Sequence, residues 1–189
     1  FFTNSGTEAI EAAIKLARKY SMDNFNPSRY EIITFKRAFH GRTMGALSAT
    51  AQPEKQNYFK PLVKGFKYAV FNDIDSVKKL VNENTCAVML EPVQGEGGVY
   101  PADKKFINDL SDICSKKDIL MIFDEIQTGF GRTGKMFAYE NFNVFPDILA
   151  VSKSLGGGMP IGAVISTDKI SSSFGPGIHG STFGGNAAS

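Results

Sequence analysis

The chain has 189 residues, 42% of them apolar and 21% charged, which suits one soluble α/β core. A net charge of +2, with lysines and arginines spread along the chain, excludes the electrostatic footprint of a nucleic-acid binder or a partner of anionic membranes. No apolar run approaches the ~18 residues of a membrane span, and Cys86 and Cys114 stand outside any CxxC arrangement, as buried thiols in a reducing cytosol do.

Strand-like and helix-like segments alternate. Phe1-Phe2-Thr3 reads as the end of a strand, and Thr7–Tyr20 places Ile10, Ala13, Ile14 and Ala17 on one face of an amphipathic helix. Tyr30–Phe35 is a β-rich run, and Glu54–Val63 reads as irregular, with Pro53 and Pro61 as breakers. Phe66–Phe71 is the next candidate strand, Asp75–Val81 a helix, and Cys86–Leu90 a strand that stops at Glu91-Pro92. Pro101–Lys116 is helical, with Phe106, Leu110, Ile113 and Cys114 along one side. Ile119–Phe123, Ile148–Val151 and Ile161–Ile165 complete the set. Short apolar runs bounded by turn residues read as buried parallel strands. The repeated β-α-β order predicts an α/β fold with a mostly parallel sheet and helices on both faces. No repeat or linker divides the chain, so residues 1–189 form one domain. It begins without methionine in a strand and stops at Ala187-Ala188-Ser189 with no closing helix, so it reads as part of a larger polypeptide.

Several strand ends carry polar residues with two readings. In Asn4-Ser5-Gly6-Thr7-Glu8, Gly6 permits close backbone approach, Ser5 and Thr7 carry hydroxyls, and the helix start offers free N–H groups to an anion. A plain N-cap with Glu8 in the first turn accounts for the same residues. In Phe39-His40-Gly41-Arg42, Phe39 can stack on a flat ring and Arg42 can clamp a carboxylate. They can equally be a core phenylalanine and a surface arginine. The segment from Glu91 through Gly98 brings two carboxylates, Glu91 and Glu96, to another strand end, or is a glycine-rich loop with solvated acids. His179-Gly180-Ser181-Thr182 can lend a hydroxyl to a phosphate or form a turn. Gly129-Phe130-Gly131-Arg132-Thr133-Gly134 matches a dinucleotide fingerprint, with Asp147 downstream. However, Asp124–Thr128 separate it from the strand, and no long helix follows. The two histidines, His40 and His179, have no cysteine or acid at metal-ligand spacing, and no nucleophile elbow exists.

The most informative pair is an aspartate and a lysine that end two apolar runs. Ile119–Phe123 stops at Asp124, and Ile148–Val151 stops at Ser152-Lys153 before Gly156-Gly157-Gly158. Ligands of parallel sheets sit outside the carboxyl ends of the strands, so both side chains face one crevice. Asp124 either caps the next turn, pairs with an arginine such as Arg132, or holds a ring cation with Gln127 beside it for a phenolic oxygen. Lys153, partly buried, would be nucleophilic enough to form an imine and then carry a proton. A carboxylate for a pyridine nitrogen and an imine-forming amine are what pyridoxal phosphate requires.

With these residues in view the chain resembles the class III pyridoxal-phosphate-dependent aminotransferases, nearest to their acetylornithine branch. The matching stretches are Phe2–Ala9, Phe39–Thr43, Glu91–Gly98, Phe123–Gly134, Ser152–Gly158 and His179–Asn186, in the family's order. The resemblance implies a type I fold, with this chain as most of the large cofactor domain, lacking the N-terminal arm and the C-terminal small domain. It implies that Gly6 and Thr7, with Ser5 adjacent, hold the phosphate. Phe39 would stack on the ring, Asp124 would meet its nitrogen, Gln127 its oxygen, and Lys153 would be the catalytic amine. Thr182 would reach the phosphate of a neighbouring subunit, making the active unit a homodimer with shared sites. Arg42 and Ser181 would contact the substrate. Glu96 would pair with a substrate-binding arginine, and Glu91 is a nearby candidate. The implied reaction moves the terminal amino group of N-acetylornithine to 2-oxoglutarate, as in arginine biosynthesis, in the cytoplasm. Ornithine or 4-aminobutyrate as donor, or a catalytically incomplete fragment, are the alternatives.

Overall fold

The computed structural model describes residues 1–189. Its strands are β1 (Phe2–Thr3), β2 (Glu31–Phe35), β3 (Phe66–Ala69), β4 (Thr85–Leu90), β5 (Val93–Gln94), β6 (Tyr100–Pro101), β7 (Leu120–Asp124), β8 (Ile148–Val151) and β9 (Gly162–Ser166). Seven of them form one sheet in the order β1-β9-β8-β7-β4-β2-β3, and β5 and β6 form a separate hairpin. From β3 to β8 every pairing is parallel. β9 runs antiparallel to β8, and β1 antiparallel to β9. β1 therefore points the same way as β8, which decides where its trailing loop goes.

The helices are α1 (Gly6–Asn24), α2 (Met44–Ala49), α3 (Pro53–Gln56), α4 (Ile74–Leu80), α5 (Lys104–Lys116) and α6 (Asp168–Ser171). Alternation along each strand sends Ile32, Met89, Ile122, Ile148 and Ala150 to one face, under the apolar stripe of α1. Ile33, Leu90, Phe123, Leu149 and Val151 go to the other face, under α4 and α5. Both faces are thus covered, as a parallel sheet demands. None of the helices is long and apolar enough to cross a membrane.

Local chemistry explains the boundaries. At the start of α1, the Ser5 side chain accepts the Glu8 N–H, while the Glu8 carboxylate accepts the Asn4 N–H, a reciprocal cap. The stretch 54–63, read as irregular, holds the single turn of α3, because Pro53 at its first position is preset for a helical backbone. On α5 the buried stripe is Phe106, Ile107, Leu110 and Cys114; Ile113 is only half-buried, a correction to the sequence reading. α2 has no cap from its own Thr43. Its first N–H groups, from Gly45 and Ala46, are taken by the Glu11 carboxylate of α1, at 2.8 and 3.1 Å. A cap supplied across the fold leaves no local sequence signal.

Two acids, Glu125 buried and Asp147 half-buried, hold the scaffold. Asp147, the acid of the dinucleotide-like pattern, accepts the Met121 N–H at 2.8 Å and joins β7 to the start of β8. Glu125 accepts the Thr128 hydroxyl and the Ala138 and Tyr139 N–H groups, each at 2.8 Å, and closes the loop after β7. Burial raises the pKa of both carboxyls.

Burial also pushes the Cys86 and Cys114 thiols up to about 12, so neither forms a reactive thiolate in the folded state. An aromatic disulfide reagent at pH 8 is expected to leave both untouched in native protein and to titrate both in denaturant. Rapid reaction of either thiol in native buffer contradicts this packing.

Candidate active site

The carboxyl ends of β1, β2, β4, β7 and β8 open on one edge of the sheet, and the loops that leave them enclose a cavity of about 280 Å³. Gly6 and Thr7 line it after β1, Phe39 to Arg42 after β2, Glu91 and Glu96 after β4, Asp124 and Gln127 after β7, and Lys153 after β8. A wider cavity of about 590 Å³ shares its Gln127 and Lys153 walls.

The floor is a buried polar cluster. Asp124 is 4% exposed; its Oδ2 accepts from His40 Nδ1 at 2.7 Å and its Oδ1 from the Ile126 N–H at 3.1 Å. A carboxylate only accepts here, so the ring nitrogen donates. Arg132, weighed as a partner from the sequence, is exposed and takes no part. His40 is buried as well, and its Nε2 has no hydrogen-bond partner. Burial works against a charged imidazole, but the Asp124 hydrogen bond and charge, with Glu91 nearby, raise its pKa overall. Glu91 accepts the Phe39 N–H at 2.9 Å. Burial, joined by repulsion from Asp124, lifts the Glu91 carboxyl to about 7 against the opposing pull of His40.

Above this floor stands Phe39, half-buried, with the Arg42 guanidinium 5.6 Å and the Lys55 ammonium 5.8 Å from its ring centre. At one end of the cavity α1 begins, and its first N–H groups, those of Gly6 and Thr7, precede the first intrahelical bond. The hydroxyl of Thr7 is differently disposed. Thr43 Oγ1 donates to Glu11 at 2.5 Å, so the 2.9 Å contact between Thr7 and Thr43 uses the hydrogen of Thr7. Thr7 thus presents amide hydrogen and hydroxyl lone pairs. Gly41, at φ +132°, makes this approach possible, since a β-carbon there would come 2.4 Å from Thr7 Oγ1.

At the other end Ser152 is buried and donates to the Ile161 carbonyl at 2.7 Å, anchoring the end of β8. The next residue, Lys153, turns into the left-handed region at φ 43° and opens a short 3₁₀ turn, Lys153–Gly156. That turn lifts the lysine off the sheet. The partial burial expected for Lys153 is therefore absent in this chain: it is exposed at the cavity wall.

Three expected residues do not line the cavity. Ser5 serves as the cap of α1. Ser181 donates to Glu8 Oε2 at 3.2 Å, placing the 181 loop against the first turn of α1. Thr182 is exposed beside it. Glu96, exposed, sits at the rim. His40, Thr43 and Glu11 received no role from the sequence. The His40 signal, an imidazole between a stacking ring and a glycine, is readable only once the loop after β2 is known to reach β7.

The aminotransferase class-III profile matches residues 1–189. The chain belongs to the class III aminotransferases. It is 55% identical over 186 residues to the acetylornithine aminotransferase of Aquifex aeolicus, covering 98% of this chain and 49% of that one. It is 51% identical over 192 residues to the succinylornithine transaminase of Yersinia pseudotuberculosis, covering 98% and 46%. The chain thus spans about half the length of these curated relatives. Among solved structures, the ornithine aminotransferase of Toxoplasma gondii, with pyridoxal phosphate partly occupying its active site, superposes with a TM-score of 0.91. It shares 36% sequence identity, over 97% of this chain and 44% of that one. Family and neighbour indicate pyridoxal phosphate as the cofactor. The side chains suit it: free amides for a phosphate, an acid for a ring nitrogen, an aromatic face and an amine share one cavity.

The floor also predicts a pH response. The Glu91 carboxyl titrates near 7 when folded against an ordinary 4.5, so its burial costs nothing below 4.5. Between these values the unfolded chain loses this proton first, and stability falls as pH rises through about 7. His40, raised from 6.5, acts in the same direction. Glu91→Gln keeps an acceptor for Phe39 and removes the carboxylate. It is expected to gain up to about 3 kcal/mol relative to the parent on going from pH 5 to pH 8. Chemical denaturation at the two pH values measures this, and an unchanged difference refutes the burial.

Proposed function

We propose that this chain is the large cofactor domain of a transaminase that moves the terminal amino group of an acylated ornithine, N-acetylornithine first, to 2-oxoglutarate. The observation that carries the reading is the placement of Asp124 and Lys153 on one cavity, one buried on its floor and one exposed on its wall. When bound, the cofactor would supply an aldehyde carbon for amine nitrogen and a ring that accepts the electron pair left when a C–H bond beside that nitrogen breaks.

The residues divide the remaining work. Asp124, steadied by His40, keeps a proton on the ring nitrogen. Phe39 covers one face of the ring, and Gln127 bonds its oxygen. The amides of Gly6 and Thr7 hold the phosphate, and the dipole of α1 adds roughly 0.3–2 kcal/mol. Lys153 is the amine that would hold the cofactor's aldehyde carbon, and once free its Nζ would take and return the proton at the reacting carbon. The wide cavity leaves room for this swing. Arg42 is exposed at the cavity wall and holds the carboxylate of the donor. Acylation supports this choice, because it removes the cation that ornithine carries next to that carboxylate. Glu96 at the rim holds a substrate-binding arginine between half-reactions, and Ser181 lies close enough to α1 to take part. Thr182, exposed and away from this cavity, serves the phosphate of a second subunit in a homodimer. A reducing cytoplasm fits the two buried thiols.

In the intact protein, borohydride reduction is expected to leave the cofactor on the peptide containing Lys153, and Lys153→Ala to abolish that attachment. Attachment elsewhere, or none in the parent protein, overturns the reading. Arg42→Ala is expected to lower kcat/KM for acetylornithine about 10- to 100-fold, the loss of one charged hydrogen-bond pair. It should do less to ornithine and 4-aminobutyrate, and an equal loss for all three donors overturns the role of Arg42.

A further inference from the structure

Gly95 lies in the turn between β5 and β6, and its φ is outside the left-handed region, so its backbone accommodates any L residue. What a side chain there would meet first is a single group. An ideal β-carbon at 95 falls 1.5 Å from Gln127 Oε1, 2.7 Å from its Cδ and 3.4 Å from its Nε2, and these are the three nearest atoms. The glycine is required by the Gln127 amide.

Neither backbone can retreat easily. Next to Gly95, the Gln94 Nε2 donates to the Lys36 carbonyl at 3.0 Å, tying the hairpin to the end of β2. The Gly95 carbonyl takes the N–H groups of Gly98 and Val99, at 3.2 and 3.3 Å. Around Gln127, the Ile126 N–H is held by Asp124 and the Thr128 hydroxyl by Glu125. The side-chain amide is therefore what gives way to a methyl group at 95.

We propose that Gly95 is a positioning residue: it leaves the slot that holds the Gln127 amide in place at the cavity wall. This rests on the reading of Gln127 as the partner of the cofactor's ring oxygen. The test uses the intact protein stripped of cofactor, in four forms: parent, Gly95→Ala, Gln127→Ala and the double variant. Titration with pyridoxal phosphate, followed by visible absorbance, gives the dissociation constant, and thermal melting of the stripped protein gives Tm. Gly95→Ala is expected to weaken binding about 5- to 15-fold, the loss of one hydrogen bond, with little change in Tm. The double variant should bind like Gln127→Ala alone, since a methyl group cannot displace an amide that is gone.

Parent-like binding in Gly95→Ala, multiplication of the two losses in the double variant, or a Tm loss that follows the affinity loss overturns the inference. Parent-like binding in Gln127→Ala overturns instead the reading of Gln127, and absence of binding in the parent overturns the cofactor site as a whole.

Discussion

A hydrogen bond of 2.7 Å, from His40 Nδ1 to Asp124 Oδ2, joins two strands that do not touch. β4 lies between β2 and β7, so the loop after β2 must cross over the end of β4 to make it. Glu91, at that end, holds the crossing loop through the Phe39 N–H. Three consecutive strand ends are thereby locked together by two buried acids and one buried ring. The position of Phe39 on one side of His40, and of Arg42 beyond Gly41, follows from that lock. In a low-dielectric floor such contacts cannot be exchanged for water, and losing the imidazole alone would strand a buried carboxylate at a cost of several kcal/mol.

The floor and the rim divide by solvent. Asp124, Glu91 and His40 are buried, and the protonation of His40 and Glu91 answers to the burial and charges around them. Arg42, Glu96 and Lys153 are exposed. Groups that must keep one set of partners gain from exclusion of water, whereas groups that must release one partner and accept another gain from mobility. Lys153 shows how backbone geometry enforces the distinction. The strand before it is fully buried, yet one residue in the left-handed region is enough to carry the amine out of the core.

Much of this was legible in the sequence. Apolar runs placed each large strand to within a residue or two, and parallel connectivity sent Gly6, Phe39, Glu91, Asp124 and Lys153 to one edge without any knowledge of packing. What escaped depended on loops meeting across the sheet. His40 has no sequence relation to Asp124, and its role appears only when β2 and β7 are known to be two positions apart. Glu11 looked like an ordinary helix residue, but its carboxylate caps α2 and, through Thr43, determines which atom of Thr7 carries the free hydrogen. Local pattern also misjudged Ile113, because the turn of α5 that faces the sheet is set by Ile107 and Leu110 rather than by apolarity alone. The burial expected of Lys153 failed for a related reason, since one dihedral angle outweighed the apolar run before it.

The two-residue strand β1 has a further consequence for how the molecule comes into being. Its partner is β9, with Phe2 beside Ala163 and Thr3 beside Gly162. Residues up to β9 must leave the ribosome before Phe2 and Thr3 can join the sheet. The helix start that offers Gly6 and Thr7 to an anion is consequently the last part of the crevice to be fixed, since loop closure over so long a separation comes late. A nascent chain halted ahead of β9 would hold the lysine and the aspartate but not the cradle.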